Sequence, residues 1–424
     1  MVDGLAEELR QWEAVSRGGG PLEKHRTQID AVLALLDAGV ADARERLADG
    51  SGDEVPARIL DLHHVWDFFR SRFLLRRVRG YRRTLDVADE LAWECYRPVL
   101  DLPGSRPKEP PLVGFSRTAS PRAHRRGSAY HDLLPRGGIH TREGRAAAAR
   151  LPFPVIDVPW HYDVQLPALL TVAHETGHHI EDDCALGDEL RLRVRTAGLP
   201  PDRVPHWERW TGEVFADTCA AVVCGTAYAD VLAELLDAEG GSTGAEAFSD
   251  GPHPPPATRV RLARAAAAAA GHPRCADGPG EPNQADAPDA PEIAALVSAL
   301  LDTGYDRLGG RRLTDLLVPP DAADVYAGAE RLLRRRPSEC GRAATVLAAA
   351  ALAFQSDPAG YEQRGVAQRA EAEVLRLRTA GSRTATWRGE ANTEENQLRA
   401  HAEAGPLLLR ALDAVREPSR DIRP

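Results

Sequence analysis

The sequence predicts an α+β protein, predominantly helical, with a small sheet in its middle third and helical regions on both sides. Three observations carry this expectation. Apolar residues recur at three- and four-residue spacing through most of the chain. Only two short stretches, PLVGF (111–115) and FPVIDVPW (153–160), have β character, and Pro-, Gly- and Asp-rich breaks separate the segments. A length of 424 residues, 43% of them hydrophobic and 27% charged, suits two or three domains and a sizeable buried core.

From about residue 27 to 100, IDAVLALLDAGVADARERL, LHHVWDFFRSRFLL and LDVADELAWECYRPVL repeat apolar residues at helical period. Trp66, Phe68, Phe69, Phe73, Tyr81, Trp93 and Tyr96 concentrate there, and the area that aromatic rings bury predicts core rather than a stacking platform. His63 and His64 lack a carboxylate or cysteine at ligand spacing and are expected to be packing or surface residues. DLPGSRPKEPP (101–111) ends the helical run, and the turn-rich stretch 116–138 between the β-like segments predicts a loop or a ragged hairpin.

A helix is expected from near Leu166, with Pro167 tolerated in its first turn and Leu166, Leu169, Leu170 and Ala173 forming an apolar stripe. A further amphipathic helix is expected over roughly 206–238. HPPPATRVRLARAAAAAA predicts a proline-stiffened turn running into a helix, and 271–291 has nothing to bury and predicts a linker. Residues 291–417 show helical patterns without strands and without a repeat period. The expected organisation is a helical N-terminal region (1–108), a central domain (109–272), a linker (273–290) and a helical C-terminal region (291–424).

The net charge of −10 argues against a protein whose main task is gripping nucleic acid. The basic clusters RSRFLLRRVRGYRR (70–83) and RRR (334–336) are expected to be solvated helix faces paired with nearby acids. Six scattered cysteines without a C-x-x-C pair predict reduced, mostly buried thiols. With no apolar run of eighteen residues, and acidic residues at the N-terminus where a signal peptide would be basic and then apolar, the expectation is a soluble cytoplasmic protein without membrane contact.

HETGH (174–178) matches H-E-x-x-H, a pattern of which about 0.03 chance occurrences are expected in a chain with this many histidines. On a helix, four residues turn through about 400°, so His174 and His178 share one face, a turn apart, and two imidazoles can converge on one ion. Glu175 lies about 100° away, off the ligand line and within reach of a water on the metal. A catalytic zinc site takes three protein ligands and keeps one position open. The longer H-E-x-x-H-x-x-G-x-x-H pattern fails, because Glu181 and Cys184 stand where Gly and His belong. Further on, WTGEVFADTCAA places Glu213 and Asp217 four apart on an expected helix. Glu213 would complete a set of two His and one Glu, and Asp217 would accept a hydrogen bond from the far nitrogen of a ligand histidine and fix its tautomer.

The bland alternative is a pair of surface histidines and an ordinary acidic helix face. Gly177 speaks against it: a glycine inside a helix costs about 1 kcal/mol and makes sense where backbones approach closely. His179 is off the ligand face, either supporting the site from behind or exposed.

In these residues the chain resembles the gluzincin group of zinc metallopeptidases, whose H-E-x-x-H followed on a later helix by E-x-x-x-D is matched by His174, Glu175, His178, Glu213 and Asp217. The resemblance spans roughly 109–240. It implies a zincin-like metallopeptidase domain, Zn2+ as cofactor, a peptide or protein substrate and peptide-bond hydrolysis. It also implies an edge strand that lines the cleft, for which FPVIDVPW is the candidate. On this reading zinc lowers the pKa of bound water to about 7, and Glu175 acts as general base and then delivers the proton to the leaving amine. A donor should meet the developing oxyanion; His253 is the leading candidate, with Arg259, Tyr162 and Tyr130 behind it. Two other classes stay open: an oxygenase in which the same helix holds iron or contributes to a haem site, and a non-catalytic zincin scaffold or regulator. In either the peptidase or the regulator, the helical C-terminal region could engage a protein partner.

Overall fold

Segments with a 3.6-residue apolar period are helical in the computed structural model, which describes residues 1–17, 20–50, 52–100, 102, 110–124, 153–238, 251–272 and 287–380. The chain opens with α1 (Val2–Arg17), α2 (Arg26–Ala48), α3 (Val55–Leu75) and α4 (Arg79–Leu100). Strands β1 (Leu112–Ser116), β2 (Arg122–His124) and β3 (Val155–Pro159) follow. Then come α5 (Thr171–Asp183), α6 (Gly187–Thr196), α7 (Val204–Arg209), α8 (Thr211–Cys224), α9 (Thr226–Ala238) and α10 (Pro256–Ala269). The described C-terminal part holds α11 (Ala290–Leu301), α12 (Leu313–Leu316), α13 (Ala322–Leu333), α14 (Ala343–Ser356), α15 (Pro358–Gln363) and α16 (Val366–Ala380). The expected predominance of helix with one small sheet is therefore what the described residues form. Most of the expected linker, residues 381–424 and most of the stretch 116–138 lie outside the described residues.

The sheet has the order β1-β3-β2, with β1 parallel and β2 antiparallel to the central β3. This corrects the expectation for FPVIDVPW: it is a middle strand, and among the described residues the edge beside α5 belongs to β2, inside a stretch expected to be loop or ragged hairpin. Three residues of RAH between turn formers carry too little periodicity to announce a strand. Because successive strand residues face opposite ways, Leu112 and Val155 enter the core of α1, α2 and α3, while Val113, Phe115, Ile156 and Val158 enter the larger core that contains α4 and α5. The sheet is wedged between the two.

Aromatic density in the N-terminal region does mark core: Trp66, Phe69, Phe73 and Tyr96 are fully buried, and Phe69 meets Phe153 edge-on at 5.1 Å. The basic cluster at 70–83 is not uniformly a solvated face. Arg72 and Arg76 are buried, Arg72 against Asp157 and Arg76 against Asp89. Charge runs mislead here because partners 85 and 13 residues away neutralise them.

The expected 206–238 helix is three helices. Trp210 leaves helical geometry between α7 and α8, and Gly225 adopts φ +64° between α8 and α9. The expected helix start at Leu166 is a 3-10 turn, Leu166–Leu170, that feeds α5. Alanine-rich α14 is buried almost all round, as an apolar helix without a polar face must be; it packs against α4, α13 and that 3-10 turn. Cys95, Cys219, Cys224 and Cys340 are buried, Cys184 is half-buried, and all five are free thiols. No helix among the described residues is long and apolar enough to cross a membrane.

Candidate metal centre

Helices α5 and α8 cross at their glycine and alanine. A Cβ on Gly177 would stand 2.8 Å from Cα of Ala216 and 3.3 Å from its carbonyl oxygen, so only glycine permits this backbone approach. The crossing places the face of α5 bearing His174 and His178 opposite the first turn of α8, which bears Glu213.

Three side chains bring their donor atoms together there. The Nε2 atoms of His174 and His178 are 3.2 Å apart. Glu213 Oε2 is 3.5 Å from His174 Nε2, and Glu213 Oε1 is 3.3 Å from His178 Nε2. Ligands placed tetrahedrally at about 2.0–2.1 Å from a zinc ion are about 3.3–3.4 Å from one another. The triangle has that size, and its two imidazoles and one carboxylate are a donor set that zinc accepts. Two imidazole lone pairs facing at 3.2 Å repel unless a proton or a cation lies between them.

Behind the triangle, Asp217 is fully buried and saturated with donors. Its Oδ1 is 2.8 Å from His174 Nδ1 and accepts from the Tyr228 hydroxyl at 2.6 Å. Arg259 binds it bidentately, Nη2 to Oδ1 and Nε to Oδ2, both at 2.9 Å, and Arg259 Nη2 also comes within 3.4 Å of Glu213 Oε2. His174 thus carries its proton on Nδ1 and turns Nε2 towards the triangle. On the other side Glu181 Oε2 is 4.0 Å from His178 Nδ1.

The electrostatics favour positive charge at the triangle: Arg259 pairs with Glu213 and Asp217, while Glu175 and Glu181 lie close to His178. Burial works to lower the pKa of His174, but Asp217 and Glu213 outweigh it and raise it. Burial likewise acts downward on His178, while Glu181 and Glu213 push it up to about 10. For Glu213, burial acts upward and is overcome by the two imidazoles and Arg259, which hold its carboxyl far below the usual range. Asp217 is held low against burial by Arg259 and His174.

A cavity of about 640 Å³ opens in front of the triangle. Glu175 lines it, and no hydrogen bond or ion pair occupies its carboxylate among the described residues. Residues 120–123, at the start of edge strand β2, form one wall; Leu232, Leu235 and Leu236 of α9 and the proline turn 252–256 form others. His253 stands at the rim with 56% of its side chain exposed and Nε2 3.6 Å from Glu213 Oε1. It is placed there by the indole of Trp210, which donates to the carbonyl of Gly251 at 2.9 Å.

The structure therefore gathers His174, Glu175, His178, Glu213 and His253 around one cavity, with Asp217 buried behind the triangle. Arg259 also lines the cavity, with its Nε and Nη2 engaged by Asp217 and Glu213. Tyr162 lines the cavity and is buried, and Tyr130 lies outside the described residues. His179 is fully buried, which removes the exposed option. Sequence reasoning missed Tyr228; nothing marks a tyrosine 54 residues beyond His174 until α9 folds back over α5.

A second group, His25, Asp86 and Asp89, also brings potential ligand atoms together. Lys24 Nζ sits 2.5 Å from Asp86 and 2.7 Å from Asp89, and Arg76 binds Asp89 as well, so side-chain cations already fill the role of an ion. Compared with protein-family models, with curated proteins and with solved structures, the chain matches none.

Proposed function

We propose that this protein is a zinc-dependent peptidase of the zincin type, hydrolysing peptide bonds with Glu175 as general base. The observation that supports it best is the pairing of the donor triangle with a carboxylate in one cavity: His174, His178 and Glu213 at 3.2–3.5 Å, and Glu175 lining the same space. His174, His178 and Glu213 would hold the ion at the edge of the cavity that all three line. When bound, zinc supplies Lewis acidity that acidifies water and polarises the scissile carbonyl.

The chain's own groups do the rest. Glu175, one residue along α5 from His174 and lining the same cavity, takes the proton of the attacking water and returns it to the leaving amine. Asp217 keeps His174 in the tautomer that presents Nε2, and Tyr228 and Arg259 hold Asp217. His253 at the rim is the donor best placed to approach the oxyanion.

Metal analysis with cleavage-site mapping on a mixed peptide pool tests this. The expected result is about one zinc per chain, no visible absorption, and chelator-sensitive cleavage that Glu175→Gln abolishes while zinc stays bound. Bound iron with a coloured spectrum would transfer the site to oxygen chemistry. Equal behaviour of wild type and Glu175→Gln in every assay would leave a scaffold.

A further inference from the structure

Strand β2 forms part of the cavity wall, and among the described residues it spans three residues and pairs with β3 alone. So short a strand contributes few ladder bonds and is marginal by itself. Besides β3 and α5, which pack on it, a buried side chain of the N-terminal helices reaches it through β3. Arg72 of α3 passes over β1 at Gly114, where a Cβ would stand 2.8 Å from Arg72 Cγ. Beyond Gly114 the guanidinium grips Asp157 of β3, with Nη2 at 2.6 and 2.8 Å from the two carboxylate oxygens and Nε at 3.1 Å from Oδ1. Asp157 Oδ2 is in turn 3.1 Å from His124 Nε2 on β2. Gly114, Asp157 and His124 lie on one face of the sheet, and the three polar side chains are at most 9% exposed.

A buried ionic triad is a poor source of stability, because well-packed apolar residues of similar volume serve as well or better. What it supplies is direction: a bidentate guanidinium fixes the carboxylate, and the carboxylate fixes the imidazole. We infer that the N-terminal helices belong to the substrate-binding apparatus, and that Arg72, acting through Asp157 and His124, sets the position of β2 at the cavity wall. The three are positioning residues; none touches the donor triangle. The nature of the substrate, an extended peptide, rests on the peptidase reading above.

The test uses the zinc-loaded full chain and two variants. His124→Phe keeps the ring and removes the bond to Asp157, and R72M/H124L/D157L replaces the whole triad by apolar side chains, which preserves folding where a single charge deletion would not. For a peptide cleaved by the wild type, KM is expected to rise about tenfold or more with kcat within about threefold and zinc content unchanged, a tenfold change in affinity being the signature of a displaced contact surface. Amide exchange in residues 120–124 is expected to quicken about tenfold while residues 171–183 exchange as before. Folded variants that keep wild-type KM and wild-type exchange at 120–124 overturn the inference. Should the zinc-loaded wild type cleave no peptide, the peptidase reading fails, and the exchange measurement alone decides whether the triad anchors β2.

Discussion

Asp217 Oδ1 lies 2.8 Å from Nδ1 of His174, on the side of the imidazole away from the donor triangle. One carboxylate thereby decides which nitrogen of His174 faces the triangle, and Arg259 and Tyr228 hold that carboxylate in place.

Asp217→Asn keeps an acceptor for the imidazole but leaves the buried Arg259 facing a neutral amide. Removing such an outer partner typically weakens metal binding about 10–100-fold. Competition against a chromophoric chelator measures the dissociation constant; an unchanged value would mean that Asp217 does not orient His174.

Glu175→Gln separates binding from chemistry. Glu175 is outside the triangle, so zinc content should match the wild type, while loss of a general acid and base lowers kcat by about 10²–10⁴-fold. Steady-state hydrolysis alongside metal analysis checks both halves.

Gly177→Ala pits helix propensity against space. Alanine gains about 1 kcal/mol in a helix interior, but its Cβ would meet the backbone of Ala216 at 2.8 Å, and overpacking costs about 1–3 kcal/mol. Because the neighbour is backbone, α5 and α8 must move apart, and the histidines move with α5 away from Glu213. Lower stability together with weaker zinc binding is expected in denaturant titrations and chelator competition. Gly80→Ala, where nothing lies within 4 Å of the added Cβ, should be neutral or stabilising.

His25 makes stability depend on pH. Its Nε2 accepts from Arg76 Nε at 2.7 Å and its Nδ1 donates to Gln28 Oε1 at 2.7 Å, so the neutral ring is the one that fits. Burial, and then the charge of Arg76, push its pKa down to about 4 from 6.5. The unfolded chain binds the proton more readily, so this contribution is fully present above pH 6.5 and is lost as pH falls towards about 4. Its full size is on the order of 3 kcal/mol. With His25→Gln as reference under identical zinc loading, the stability gap to wild type should shrink by about 2 kcal/mol between pH 7 and pH 5. A constant gap would show that His25 is not held neutral.

Much of this protein could be read without coordinates. The helices follow from apolar periodicity, which is a local property of the chain. The two longer strands follow from short β-like runs between turn formers. His174, Glu175 and His178 are legible because helical geometry converts a spacing of four into a shared face. Glu213 and Asp217 repeat that spacing, and Gly177 marks the close approach of a second backbone. The break at Gly225 is a glycine inside a long amphipathic pattern, and apolar periodicity does not register its left-handed backbone.

What tertiary structure alone decided is everything that depends on which segments meet. β2 is a strand because β3 offers it a partner, and β3 is central for the same reason. Arg72 and Arg76 are buried because Asp157 and Asp89 neutralise them, although their sequence neighbourhood looks solvated. Tyr228 and Arg259 join the site because α9 and α10 fold back over α5 and α8. Periodicity and spacing record how a side chain is oriented about its own helix or strand, whereas charge partners and donor convergence record distances across the fold, which no local pattern encodes.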